Sequence, residues 1–240
     1  MIVASRQWRC RMKRTIIFLS LMLVTLGGCK SVDNPNGKTT GADKLSGKAT
    51  GSGVMKVEKR SVPAFTSVSI SGAYDVLIVA QKEQSLEIEG DDNLLPLIKT
   101  EVKDGVLDIG NDQGLSTRGK LHVRISTPKL DGISTSGASD IIISNVKSDA
   151  FKIDTSGAGS LQVSGETKTL VAQLSGAGDI NAKDLHAERV NITSSGAANA
   201  DVYASEELHI SATGAGNVNY YGDPKVVNKE SSGVGTITKK

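Results

Sequence analysis

Three histidines, His122, His186 and His209, are the imidazoles of this chain. No two of them stand at the i, i+4 spacing that puts a pair of metal ligands on one helical face. His122 and His209 alternate with apolar neighbours, which predicts the exposed face of a strand for both. A G-x-S-x-G nucleophile signal is absent. Glycine-rich strings such as SGASDI (136–141) and SGAGDI (175–180) resemble a phosphate cradle on the surface, but a cradle requires a following helix N-terminus and usually a lysine, and neither follows. The residue three places after each repeated glycine is Asp140, Ser160, Asp179, Asn199, Asn217 and Thr236, a set of short oxygen-bearing side chains. Calcium would suit such a column, yet only Asp140 and Asp179 in it are anionic and no Gly-Gly-x-Gly-x-Asp nonapeptide occurs. The favoured reading is a polar ladder that satisfies backbone groups at a repeated bend, with Asp140, Asp179, Asn199 and Asn217 as weak ligand candidates.

The elements that would position these residues repeat. Each Ser/Thr-Gly motif places its glycine at Gly137, Gly157, Gly176, Gly196, Gly214 and Gly233, a nearly constant interval. Apolar residues alternate before each glycine (Phe151 and Ile153; Val190 and Ile192; Leu208 and Ile210) and after it (Ile141 and Ile143; Leu161 and Val163; Val218 and Tyr220). Each unit is therefore strand, small-residue corner, strand. A period near 19 held over six copies predicts a solenoid whose coils stack about 4.8 Å apart in parallel register. At the corner, glycine is expected to supply positive φ, alanine to fit where the coil narrows inward, and the Ser or Thr hydroxyl to bond exposed backbone. Upstream, Ser71-Gly72-Ala73 is an isolated copy separated from Gly137 by more than three periods, so residues 54–130 are expected to hold irregular or longer rungs. Short half-buried strands are predicted around 65–81, 85–90, 105–110 and 121–126. Asp104-Gly105 signals a turn, and Pro96 limits 91–98 to one helical turn.

Composition agrees with repetitive β-structure: 26 glycines and only 3% aromatic residues among 240. Residues 12–29, MKRTIIFLSLMLVTLGGC, open with Lys13 and Arg14, run apolar from Thr15 to Leu26 and end in Gly27-Gly28-Cys29. This is the layout of a secretory signal and is short for a membrane span. The ending LGGC matches a bacterial lipobox, in which Cys29 is lipidated and becomes the mature N-terminus. Met12 opens a signal of ordinary length, so residues 1–11 look like an over-long start. Cys10 lies in that leader, so no disulfide is expected. Residues 30–53 are rich in Gly, Ser, Thr and Lys without hydrophobic period, a flexible tether reaching about 25–30 Å on average. Residues 1–28 hold five basic side chains (Arg6, Arg9, Arg11, Lys13, Arg14) and no acidic one. The mature chain then has 23 basic and 26 acidic residues, a formal net charge of −3, against +2 for the whole. Nothing in that balance points to a nucleic acid.

The strings SVPAFTSVSISGAYDVLIVAQKEQSLEIEGDDNLLPLI and GVLDI, the repeated SGAGD-I units, and YYGDPKVV followed by SSGVGTI resemble the bacterial auto-transporter adhesin family with a head GIN domain. The resemblance spans about 54–238; its most specific pieces are the Ser-Gly-Ala units and Tyr221-Gly222-Asp223-Pro224. It implies a β-helix-like, envelope-associated and often lipid-anchored protein, and supplies no catalytic residues.

The expectation is thus an all-β protein in three parts: a lipoprotein signal peptide (1–28), a tether (29–53) and a parallel β-solenoid (54–238, regular from 131). It would be an outer-membrane lipoprotein, held to the membrane through Cys29, presenting its surface to a glycan or surface protein without catalysis and without a cofactor. A polysaccharide lyase or hydrolase is the alternative, because β-helix folds house such enzymes. Their sites need gathered carboxylates, often with Arg or Lys, whereas here the carboxylates are dispersed and Arg60, Arg118, Arg124 and Arg189 are scattered. An envelope sensor or lipid-binding module is a third class.

Overall fold

The computed structural model of the protein describes residues 47–117 and 119–240. The signal segment, Cys29, the tether as far as residue 46 and Arg118 lie outside them. Among the described residues the chain is a parallel β-solenoid without an α-helix; the one helical element is a 3-10 turn, Leu95–Leu97, with Pro96 inside it.

Four long strands form the regular coils: Asp140–Thr155, Ser160–Leu174, Asp179–Ser194 and Asn199–Ala212, each parallel to the next. In-out alternation breaks twice within the first three, for example at Ser144-Asn145 and Asp149-Ala150. Each such coil therefore has three sides: one after the glycine corner, a short second side, and one leading to the next corner. Asn145 takes φ 60° at the first of these bends. The uneven spacing of the glycines is absorbed on this stretch, where register shifts fall between Ile143 and Val146 and between Ala182 and His186. Extra residues there leave the long first and third sides in register.

The core is a set of columns running through the coils. On the third side Leu107, Val68, Ile133, Ile153, Ala172, Ile192 and Ile210 are successive register partners. All are buried, as is Phe151 on the neighbouring column. Burying one such aliphatic side chain stabilises by about 1.5–3 kcal/mol, so the columns supply most of the driving force.

Residues 54–130 are a capped start whose order in space differs from the order along the chain. Ser67–Gly72 and Asp75–Ala80 form a coil with its own corner at Gly72, in register with Gly137. Val106–Asn111 and His122–Thr127 stack on one side of that coil, and Gly132–Gly137 with the start of the first long strand stack on the other. The long interval between Gly72 and Gly137 is occupied by that additional coil and the cap. The cap is antiparallel: Met55–Lys59 pairs with Ser85–Asp91, which pairs with His122–Thr127, and Ile98–Lys103 pairs with Val106–Asn111. Asp104 and Gly105 join the last pair with φ 50° and 76°, the short hairpin turn that Asp-Gly favours.

Three details differ from expectation. Ala49–Thr50 pairs with Leu115–Ser116, so part of the segment assigned to the tether is built into the fold. Ser52 and Gly53 also bond the Asp91, Asp92 and Asn93 side chains. The buried Asp91 carboxylate takes up the Gly53 amide at 2.6 Å and the Thr117 hydroxyl. Second, positive φ occurs at Gly72 and Gly137 but not at Gly157, Gly176, Gly196, Gly214 or Gly233. Those five are glycine because a Cβ on each would come closer than 3.0 Å to the backbone of the corner glycine one coil below. The stacking distance, rather than the turn, forbids a side chain. Third, Ala138, Ala158, Ala177, Ala197 and Ala215 face solvent, and the next residue, such as Ser139 or Ala198, turns inward. The corner hydroxyl behaves as expected at Ser175, whose Oγ donates to the Thr155 carbonyl at 3.2 Å.

Candidate functional site

The first side carries the polar ladder on one outward column. His122, Asp75, Asp140, Ser160, Asp179 and Asn199 are successive register partners. Ser160 Oγ donates to Asp140 Oδ1 at 2.6 Å, Asn199 Nδ2 to Asp179 Oδ1 at 2.9 Å, and the Asn217 amide to Asn199 Oδ1 at 3.1 Å. Thr236 continues the series, its Oγ1 donating to Asn217 Oδ1 at 2.8 Å. The four ladder residues Asp140, Asp179, Asn199 and Asn217 thus come together, as do the six corner glycines along their own edge. Cys29 lies outside the described residues.

The next outward position along these strands carries a second column: Arg124, Leu77, Ile142, Gln162, Asn181, Asp201 and Asn219. Leu77 and Ile142 are neighbours in it and stand 42% and 50% exposed, out of place on a solvent face that, with the half-exposed Val79 set aside, is polar. Between the columns runs an open groove of about 480 Å³ whose floor includes this pair. Its rim is ordered by charge. Lys120 Nζ lies 2.9 Å from Asp75 and 3.9 Å from Asp140, and Arg124 lies 2.8 Å from Glu89. The hydrogen bond from the Ser160 hydroxyl holds the Asp140 carboxyl below the usual carboxylate range, and the hydrogen bond to Asp75 raises Lys120. Both charges persist across physiological pH.

The histidines are separate. His122 stands 3.7 Å from Asp75 at the base of the ladder, His209 meets Asn228 on the third side at 3.1 Å, and His186 lies on the second side beside Tyr203. Both His122 and His209 lie on the outward face of their strands, half-exposed, as the alternation required. Among the described residues no three His, Cys, Asp or Glu side chains gather as metal ligands. Reading by motif missed Asp75, Lys120, Leu77 and Ile142. The signal for Asp75 was present, because it precedes Asp140 by the same interval that separates Gly72 from Gly137. The signal for Ile142 was the unbroken Ile141-Ile142-Ile143, in which alternation forces the middle residue outward.

The family described as "Putative auto-transporter adhesin, head GIN domain" matches residues 64–224. No curated protein matches the chain. Among solved structures, a "putative adhesin" from Bacteroides fragilis NCTC 9343 is 26% identical with a TM-score of 0.65, over 80% of this chain and 99% of that one. Similar "putative adhesins" come from Parabacteroides distasonis ATCC 8503 (21% identity, TM-score 0.53, 81% and 100% covered) and Parabacteroides merdae ATCC 43184 (20%, 0.52, 80% and 99%). At those identities the two Parabacteroides structures speak to the fold alone. The match covers the Gly72 coil, the cap apart from Met55–Lys59, and the regular coils, and it ends at the Tyr221-Gly222-Asp223-Pro224 turn. The chain belongs to the head GIN domain family of auto-transporter adhesins.

Proposed function

We propose that the chain is a lipid-anchored protein of the cell envelope that holds a protein partner on the first side of its solenoid and performs no chemistry on it. The carrying observation is the exposed pair Leu77 and Ile142, set between ordered charged and amide columns. A small apolar centre within a polar rim is the composition of a protein-recognition hot spot. The rim groups are tied to one another across the coils, so little side-chain freedom is lost when a partner docks. The adhesin descriptions of the family and of the B. fragilis relative agree with a binding role.

The carboxylates of the groove suit binding better than proton transfer. A general acid at neutral pH needs a raised pKa, and Asp140 is displaced downward. Asp75 is engaged by Lys120. The leader, Cys29 and the segment after it support attachment through a lipid, at the outer membrane.

The test is attachment of cells carrying the full chain to a protein-coated surface, before and after protease treatment of that surface. The double variant Leu77→Asp, Ile142→Asp is expected to lose attachment, and so is the treated surface; unchanged attachment of the variant overturns the reading. Cys29→Ser is expected to leave the membrane fraction, and continued membrane partitioning refutes the anchor. Release of product from a panel of polysaccharides, abolished in Asp140→Asn, would overturn the non-catalytic part.

A further inference from the structure

We propose that the second side carries a subsite for a neutral saccharide, with Tyr203 as its platform. The outward column here is Lys147, Glu166, His186, Tyr203 and Tyr221, one residue from each successive coil. Three neighbouring rungs thus present rings in a chain with few aromatic residues. His186 and Tyr203 lie with centroids 4.5 Å apart at 57°, His186 exposed and Tyr203 half-exposed. They border an open groove of about 650 Å³. The Tyr-Gly-Asp-Pro turn maintains this arrangement. Tyr220 faces the core, which puts Tyr221 outward in register with Tyr203. Gly222 takes φ 88°, and a Cβ there would lie closer than 3.0 Å to the Ala204 carbonyl oxygen and 3.3 Å from Tyr203 Cε2, so only glycine lets the turn pass this close to the coil that carries the ring.

The groove's chemistry selects the ligand class. Its charged lining is Lys129, Lys147 and Lys168 against Asp149, Glu166 and Glu188, which balance. Balanced charge offers no attraction to a polyanion such as a nucleic acid. The one aliphatic lining residue, Ala187, is buried, so the groove lacks the apolar centre that a protein partner needs. A polyhydroxylated neutral chain fits both facts. Its C–H faces stack on the amphipathic tyrosine ring, and its hydroxyls accept from ammonium groups and donate to carboxylates. Lys168 and Asp149 already fix each other at 2.7 Å. Glu166 and Lys147 enter no ion pair among the described residues and point outward from adjacent coils. These two are the groups available to hydroxyls. The site lies on a different side from the Leu77–Ile142 groove and shares no residue with it, so it stands or falls independently.

Full chain in detergent is titrated calorimetrically with neutral hexasaccharides of glucose, mannose, galactose and N-acetylglucosamine, with heparin as the polyanionic arm. Saturable binding of at least one neutral hexasaccharide is expected. Tyr203→Ala is expected to weaken it about tenfold or more, as truncation of a central aromatic anchor does. Tyr203→Phe, which keeps the ring, and the exposed variant Glu166→Gln separate recognition from folding: the first should bind within a few-fold of the parent and the second should bind more weakly at an unchanged melting temperature. Absence of binding to every neutral hexasaccharide, binding to heparin alone, or equal affinity in Tyr203→Ala and Glu166→Gln would overturn the proposal.

Discussion

At the N-terminal end of the solenoid, strands turned antiparallel lie over the first coil, and Leu86, Ile88, Leu95 and Ile98 complete the core beneath them. At the C-terminal end nothing comparable among the described residues covers the coil of Val226–Ser231 and Ile237–Lys239. There three inward columns change chemistry, while Leu208 and Val218 are still followed by Val227 and Ile237. Ile210 is followed by Lys229, Ala212 by Ser231 and Tyr220 by Lys239. Lys229 Nζ sits 4.5 Å from the Tyr220 ring centroid and 3.1 Å from its hydroxyl. One end is closed by extra chain, the other by charge placed where the next apolar residue would go, a known defence of an open sheet edge. Chain order matters to the first solution and only register matters to the second. The two regions therefore depend on their glycines, carboxylates and lysines in different ways.

The sharpest way to break the comparison is through glycine. Gly176 has φ in the ordinary range and a carbonyl of the coil below where its Cβ would go; Gly105, in the cap hairpin, has φ 76° and open space around it. Gly176→Ala should cost on the order of 4 kcal/mol, because two backbones must separate along the column. Gly105→Ala should cost about 1–2 kcal/mol, the strain of a left-handed alanine. Urea midpoints for the two variants measure the difference; equal losses would mean that the corner glycines serve the turn after all.

Asp91→Ala comes next. It strips the Gly53 amide and the Thr117 hydroxyl of a buried acceptor, at about 1–3 kcal/mol. The loss should stay local, with hydrogen exchange accelerating at 49–54 and little change in the coils after residue 131. Lys229→Val extends the apolar column of Ile210 by one coil. Sedimentation velocity should show self-association beyond that of the parent at equal concentration, with dissociation constants on the order of 10–100 µM. Unchanged sedimentation would mean that charge is not what closes that end. The smallest effect belongs to Asp140. Its folded pKa is lowered, chiefly by the Ser160 hydroxyl. The stability it adds is therefore present above the unfolded carboxylate value of about 4 and disappears as pH falls through the folded value. Asp140→Asn should flatten the acid limb of the stability curve by less than about 1 kcal/mol, as befits an exposed group.

Periodicity made the regular half legible. A fixed spacing stacks like residues, so the corner glycines and the column from Asp140 to Asn217 could be assigned before any coordinates. The reason for those glycines could not, because the approach of Gly176 to Gly157 is a distance between coils and leaves no mark within either. The outward alanines escaped for a related reason: the corner interrupts the alternation from which facing is inferred. Residues 54–130 resisted because their neighbours in space are not neighbours in sequence. The coil of Gly72 lies between Val106–Asn111, which belongs to the cap hairpin, and Gly132–Gly137, which follows only after the cap is complete. Leu77 and Ile142 were in plain view as the centres of Val76-Leu77-Ile78 and Ile141-Ile142-Ile143, but their adjacency needed the register that links those distant segments.

The docking of Ala49–Gly53 has a mechanical consequence. A pull transmitted through Ala49 is not applied to the coils directly. It is borne first by the short Ala49–Thr50 strand and by the side chains of Asp91, Asp92 and Asn93. With two paired residues against the longer strands that follow, that junction is expected to peel before the coils unwind, and each residue freed lends about 3.3–3.6 Å of slack. The segment would act as a shock absorber between whatever holds the N-terminus and whatever grips the solenoid's flank.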